Sequence, residues 1–121
     1  MKIEIKNLNA ADEIRPIEKG RLELYTTGGV TIGRSTYEPG WKWSEHVGAA
    51  TGEAWCLVEH VVLVVQGRMA VTMRDGERVE IGPGDLCHIP PGHDGWVVGD
   101  EPYVSLHFVG TGEYARKAGG A

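Results

Sequence analysis

Glycine and proline interrupt this chain so often that few stretches between them exceed the length of a β-strand. Eighteen of the 121 residues are glycine and six are proline, spread along the sequence instead of gathered in a linker. The longest apolar run, residues 61–65, is a strand's length. It falls far short of the roughly 18 apolar residues a membrane-spanning helix needs.

Between these breaks the polarity pattern reads as strands. Residues 21–26 alternate apolar and polar, Thr27-Gly28-Gly29 follows, and residues 30–38 resume an extended pattern, which predicts a hairpin with glycine supplying the positive φ. Trp41 and Trp43 precede Glu45 and His46 in a segment, residues 41–47, that reads as a further strand. Residues 48–53 are small and polar and read as a loop; residues 55–66 are dense in β-branched side chains and close on Gly67. Residues 69–74 and 77–81 flank Asp75-Gly76, a type I′ hairpin signal. Gly82-Pro83-Gly84-Asp85 turns the chain again, and residues 86–89, 96–98 and 103–109 supply the last strands. An opening strand is expected near Ile3, then an irregular arm to Gly20, and a single helical turn from Thr111 to Lys117 before a frayed end. About nine or ten short strands predict an all-β sandwich or barrel, one domain over residues 1–121.

Composition narrows the partners. Hydrophobic residues at 41% and charged residues at 24% describe an ordinary globular chain. With 12 basic against 17 acidic side chains the formal charge is −5. No basic cluster exists beyond Arg116-Lys117, which argues against nucleic acid or an anionic membrane as partner. A small molecule becomes the expected partner. Residues 1–6 alternate charge and apolarity without the apolar segment that export requires, so a cytoplasmic location is expected. Two cysteines, Cys56 and Cys87, are too few for a disulfide framework.

Five histidines stand at 46, 60, 88, 93 and 107. His46, His60 and His93, brought to one barrel mouth, would make a three-nitrogen site with open coordination positions, because neutral imidazole is the commonest transition-metal ligand.

Two stretches carry a family resemblance. From residue 40 to 67, Gly40 is followed by five residues and His46, and His60 by six residues and Gly67. From 84 to 95, Gly84 is followed by five residues, Pro90-Pro91-Gly92, His93 and Asp94. This resembles the cupins, a family of small jelly-roll β-barrels whose first motif has His-x-His and a glutamate between its glycines, and whose second ends Pro-x-Gly-x-x-His. The chain departs from that pattern. His60 stands at the glutamate position, the second histidine of the pair falls at Gly48 or at Cys56 depending on the direction of counting, and 14 residues separate His46 from His60. The second-motif histidine falls at Gly95, with His93 two positions earlier.

The resemblance implies a cupin jelly-roll barrel holding a divalent transition metal, whether iron, zinc, copper, manganese or nickel, on His46, His60 and His93, with Cys56 as a candidate fourth ligand. It also implies a homodimer and a metal-dependent enzyme acting on a small organic molecule, dioxygenase-like first, isomerase or hydrolase second. The alternative is a metal or small-ligand module without turnover. Asp94 is the candidate general base or histidine-orienting acceptor, and otherwise a turn former. Trp43, Trp96 and His107 are candidate pocket residues, with core or interface packing as the alternative. Free cysteine is usually a small buried hydrophobe, and packing is the alternative reading of Cys56; Cys87 and His88 read as structural. Glu45 needs a bulge to point the same way as His46.

Overall fold

The alternating segments form strands that pair antiparallel throughout. A computed structural model describes residues 1–110, with β1 (Glu13–Ile17), β2 (Gly20–Thr27), β3 (Val30–Tyr37), β4 (His60–Gln66), β5 (Arg68–Met73), β6 (Arg78–Ile81), β7 (Leu86–Ile89), β8 (His93–Val98) and β9 (Tyr103–Val109). The expected turn from Thr111 to Lys117 lies outside the described residues. Six strands pair in the order β1-β2-β3-β9-β4-β7 and three in the order β6-β5-β8. This is the all-β class that the strand pattern predicts, in the jelly-roll form that the family resemblance implies.

Alternation decides which side chains meet between the sheets. Leu22 and Leu24 of β2, Ser35 and Tyr37 of β3, Val62 and Val64 of β4, and Tyr103, Ser105 and His107 of β9 are all buried, while their neighbours along β4 and β9 are more exposed. Tyr37 stacks flat on Trp41 at 3.8 Å between ring centroids and lies parallel to Tyr103 at 5.8 Å, which makes an aromatic wall in the core.

Three local expectations are corrected. No strand forms near Ile3, which is 92% exposed; β1, predicted as irregular, takes the sheet edge instead and tolerates Pro16 there, since an edge strand need not donate every ladder bond. Residues 41–47 are not one strand: Lys42 makes a single bridge to Trp96, and a π-helical turn, Ser44–Gly48, leads into one α turn, Ala49–Thr51, within what reads as a loop. The Asp75-Gly76 hairpin forms, but only Gly76 has positive φ (99°), and its N–H donates to Met73 O at 3.0 Å. A type I turn followed by a glycine bulge fits those angles, whereas type I′ would need positive φ at Asp75 too. Gly28 and Gly29, at 56° and 77°, do form the predicted two-residue turn.

Candidate metal centre

β4 opens on His60, so period-two alternation that buries Val62 and Val64 points His60 inward as well. β8 opens on His93, whose inward neighbours along the strand are Gly95 and Val97. Cys56 reaches this place through its backbone. Its N–H donates to His93 O at 2.7 Å and its carbonyl accepts from Gly92 N–H at 2.8 Å, an isolated antiparallel bridge. One donor atom each from Cys56, His60 and His93 then lie within 4.8 Å of one another, all three residues buried.

The donor set fits a transition metal. Cys56 Sγ and His60 Nε2 are 3.7 Å apart, close to the roughly 3.6 Å that a tetrahedral centre with ordinary metal–sulfur and metal–nitrogen bonds sets between them. His93 Nδ1 donates to Pro90 O at 2.7 Å. A carbonyl only accepts, so the neutral ring carries its proton on Nδ1 and keeps the Nε2 lone pair for a metal. His107 adds a third ring, 5.3 Å from His60 centroid to centroid against 5.1 Å for His93. Its Nε2 hydrogen-bonds with Ser35 Oγ at 2.8 Å, and Ser35 Oγ accepts from Tyr37 O–H at 3.2 Å.

Burial keeps these groups uncharged. Desolvation drives His60 well below the ordinary imidazole range, and His107 and His93 add to it. Burial also lowers His93, against the opposing effects of the Pro90 carbonyl and Asp94, and brings His107 down to about 4. The Cys56 thiol is pushed up to about 11 by burial, only partly offset by the Val58 N–H. Near neutral pH the cluster is therefore a thiol among neutral imidazoles, ready to bind a cation by losing one proton.

The cavity at the cluster has about 40 Å³ of free volume and is walled by Tyr37, Trp41, Trp43, Met69 and Tyr103. Trp43 and His107 line it, as the sequence suggests; His107 does so because β9 has the inward parity. Trp96 does not. It lies one residue out of phase with His93 and Gly95 on β8, and its ring sits between Lys42 Nζ at 5.3 Å and Arg78 at 4.9 Å.

His46 is not brought to the cluster. Because the chain turns helical after Trp43, His46 folds back on its own turn: Nδ1 lies 2.9 Å from Lys42 N–H and 3.1 Å from Lys42 O, and Nε2 is 3.9 Å from Glu18 Oε1. Asp94 is buried but outside the cavity wall. Its Oδ1 accepts from Ser44 N–H at 3.0 Å and Gly95 N–H at 2.9 Å, tying the helical turn to β8. At Gly95, where the family pattern has its histidine, a Cβ would lie 3.3 Å from Met69 Sδ and 3.4 Å from Ala70 O. Space there is tight, and His93 supplies an imidazole from the same face. Ser35, Tyr37, Tyr103 and Ser105 escape a motif search; the signal that finds them is parity, with Ser35 two residues from Tyr37 and Tyr103, Ser105 and His107 each two apart.

Comparison with known proteins agrees with this architecture. Among curated proteins, none is similar enough to count as a match. A protein of unknown function from Rhizobium leguminosarum is 24% identical with a TM-score of 0.60, the alignment covering 88% of this chain and 95% of that one. A sugar phosphate isomerase of a cupin superfamily from Silicibacter pomeroyi is 19% identical, TM-score 0.60, over 86% of this chain and 73% of that one. An oxalate decarboxylase from Lactobacillus farciminis is 18% identical, TM-score 0.57, over 81% of this chain but only 30% of that one. At such identities the likeness is one of fold. The Cupin domain pattern itself matches residues 33–110, the span from β3 to the end of β9 that carries Cys56, His60 and His93, and on that match this chain belongs to the cupin family.

Proposed function

We propose that Cys56, His60 and His93 hold a divalent transition metal and that the protein is a metal-dependent enzyme acting on a small organic molecule. The observation that carries this reading is three buried donor atoms within 4.8 Å of one another, two of them on His60 and His93, which line a cavity. The structurally similar sugar phosphate isomerase and oxalate decarboxylase, both named for small substrates, support it by analogy of fold. A thiolate with two imidazoles favours zinc, copper or iron over magnesium or calcium.

Such an ion would supply Lewis-acid or redox chemistry at its open positions. The chain's own residues do the rest. His93 is oriented by Pro90, aromatic rings wall the cavity, and among the described residues no lysine or arginine enters its lining. Two imidazoles and one anionic donor parallel the two-histidine, one-carboxylate set of iron oxygenases, which supports a reading with oxidation first and isomerisation or hydrolysis second. His46 and Asp94 are left out of this ligand and base assignment because their polar atoms are engaged elsewhere. A second reading, metal binding without turnover, is favoured by the small cavity of about 40 Å³.

Cobalt substitution tests the site. The cobalt form is expected to show a thiolate-to-metal charge-transfer band that vanishes in Cys56→Ser; a cobalt spectrum that keeps this band in the variant removes Cys56 from the ligand set. The homodimer that the family resemblance implies is part of this proposal and is checked by sedimentation.

A further inference from the structure

Val71 and Ile89 stand in two walls at once. Both line the metal cavity, and both line a larger space of about 140 Å³ together with Met73, Val79 and Pro90. Strand register sets the two spaces side by side. Ile89 on β7 is the Cα partner of His60 on β4, Met73 on β5 is the partner of His93 on β8, and Val71 is the partner of Gly95. β6 ends one sheet and β7 ends the other, and the larger space is a cleft walled by residues of β5, β6 and β7.

Side-chain parity shows what the cleft lacks. Val79 shares a face of β6 with Ile81 and pairs with Val71 on β5, which turns it toward the space between the sheets. Ile81 and Val71 are 6% and 5% exposed, yet Val79 is 47% exposed. An inward valine left half in water forgoes burial that an apolar group in the cleft would restore. The polar members of the wall, Glu77 and His88, are exposed residues, and His88 already has Glu59 as a partner at 2.7 Å. A cavity that takes benzene measures about 150 Å³. The cleft at about 140 Å³ therefore suits some six carbons, whereas the metal cavity at about 40 Å³ admits a group of very few heavy atoms.

We propose that the cleft between β6 and β7 holds the apolar tail of a substrate whose reacting group enters the metal cavity, and that the substrate passes between Val71 and Ile89. The inference rests on the metal reading of the site. It names the substrate class, a small polar head on an uncharged hydrocarbon tail of up to about six carbons, and makes Val79 a residue that sets tail length.

Straight-chain thiols keep one head and vary the tail, and they provide the test. The full chain, loaded with cobalt to a measured stoichiometry without air, is titrated with ethanethiol, butanethiol, hexanethiol and octanethiol. Each sulfur binds cobalt as the thiolate, its proton passing to the buffer, and is read by the added charge-transfer absorption. Affinity is expected to rise about two- to fourfold per methylene up to hexanethiol and to level off at octanethiol. Val79→Asp, which puts a charge in the cleft, and Val79→Trp, which fills it, are each expected to bring the ratio of hexanethiol to ethanethiol affinity below about fourfold, and either variant decides if the other does not fold. No thiol binding to the cobalt-loaded parent, a flat series in the parent, or a parental ratio in a folded variant overturns this inference alone. A parental ratio in Val79→Asp with a dimer split into monomers would make the cleft a contact between copies of the chain and overturn it too. Failure of the parent to bind cobalt overturns the metal reading and this inference with it.

Discussion

Cys56 and His93 are joined by their backbones: the Cys56 N–H donates to the His93 carbonyl at 2.7 Å, outside any regular strand pairing of residue 56. This bridge connects the segment before β4 to the start of β8. It holds the Cys56 thiol, which lies in neither sheet, close to the His93 imidazole of β8 and the His60 imidazole of β4.

Metal uptake should therefore track the thiol. With Cys56 at about 11 and the imidazoles held below their ordinary range, each ion that binds near neutral pH displaces one proton from sulfur. Zinc affinity is expected to rise about tenfold per pH unit between about pH 7 and 9. Chelator competition at several pH values measures it. A flat profile in the parent would contradict ligation by Cys56.

Stability of the metal-free protein should fall in mild acid. His107 sits at about 4 in the folded chain against an ordinary 6.5, so the unfolded chain binds the extra proton between those values. The folded state keeps its full stability above about pH 6.5 and loses it as pH falls toward 4, by roughly 2 kcal/mol at pH 5 from His107 alone. His60 and His93 are lowered in the same direction and add to the loss. Urea unfolding at pH 7.5 and 5 is the measurement, and His107→Gln should shrink the difference. An unchanged difference in the variant would assign the acid sensitivity to other groups.

Asp94 should prove structural. Asp94→Ala removes the acceptor of the Ser44 and Gly95 N–H groups and is expected to cost about 1–3 kcal/mol. Asp94→Asn retains a side-chain oxygen and should cost less. Amide exchange at Ser44 should accelerate in Asp94→Ala, while zinc stoichiometry stays at the parent's level. Loss of zinc from a folded Asp94→Asn would instead place the carboxylate in the site.

Much of this architecture is legible in the sequence because it depends on short-range rules. Glycine pairs mark turns, and period-two alternation assigns His60, His93 and His107 to the inward face once their strands are known. The position of His46 is not legible, because residues 41–47 satisfy a strand pattern equally well and the helical turn is fixed by tertiary contacts such as the Asp94 acceptor for Ser44. Cys56 illustrates the same limit from the other side. Its approach to His60 comes from a single bridge to β8 across a long sequence separation, which no local pattern encodes. The bulged turn differs from the predicted type in the φ of Asp75 and in its register, with Gly76 N–H closing the turn onto Met73 O, a choice that the dipeptide alone leaves open.

Elemental analysis of the purified parent, His60→Ala and His46→Ala proteins, after reconstitution with zinc and with iron, tests the central claim most directly. Near-stoichiometric metal in the parent and in His46→Ala, falling well below half in His60→Ala, is the predicted result. Undiminished metal in a folded His60→Ala protein, or none in the parent with either ion, would contradict the Cys56, His60 and His93 centre.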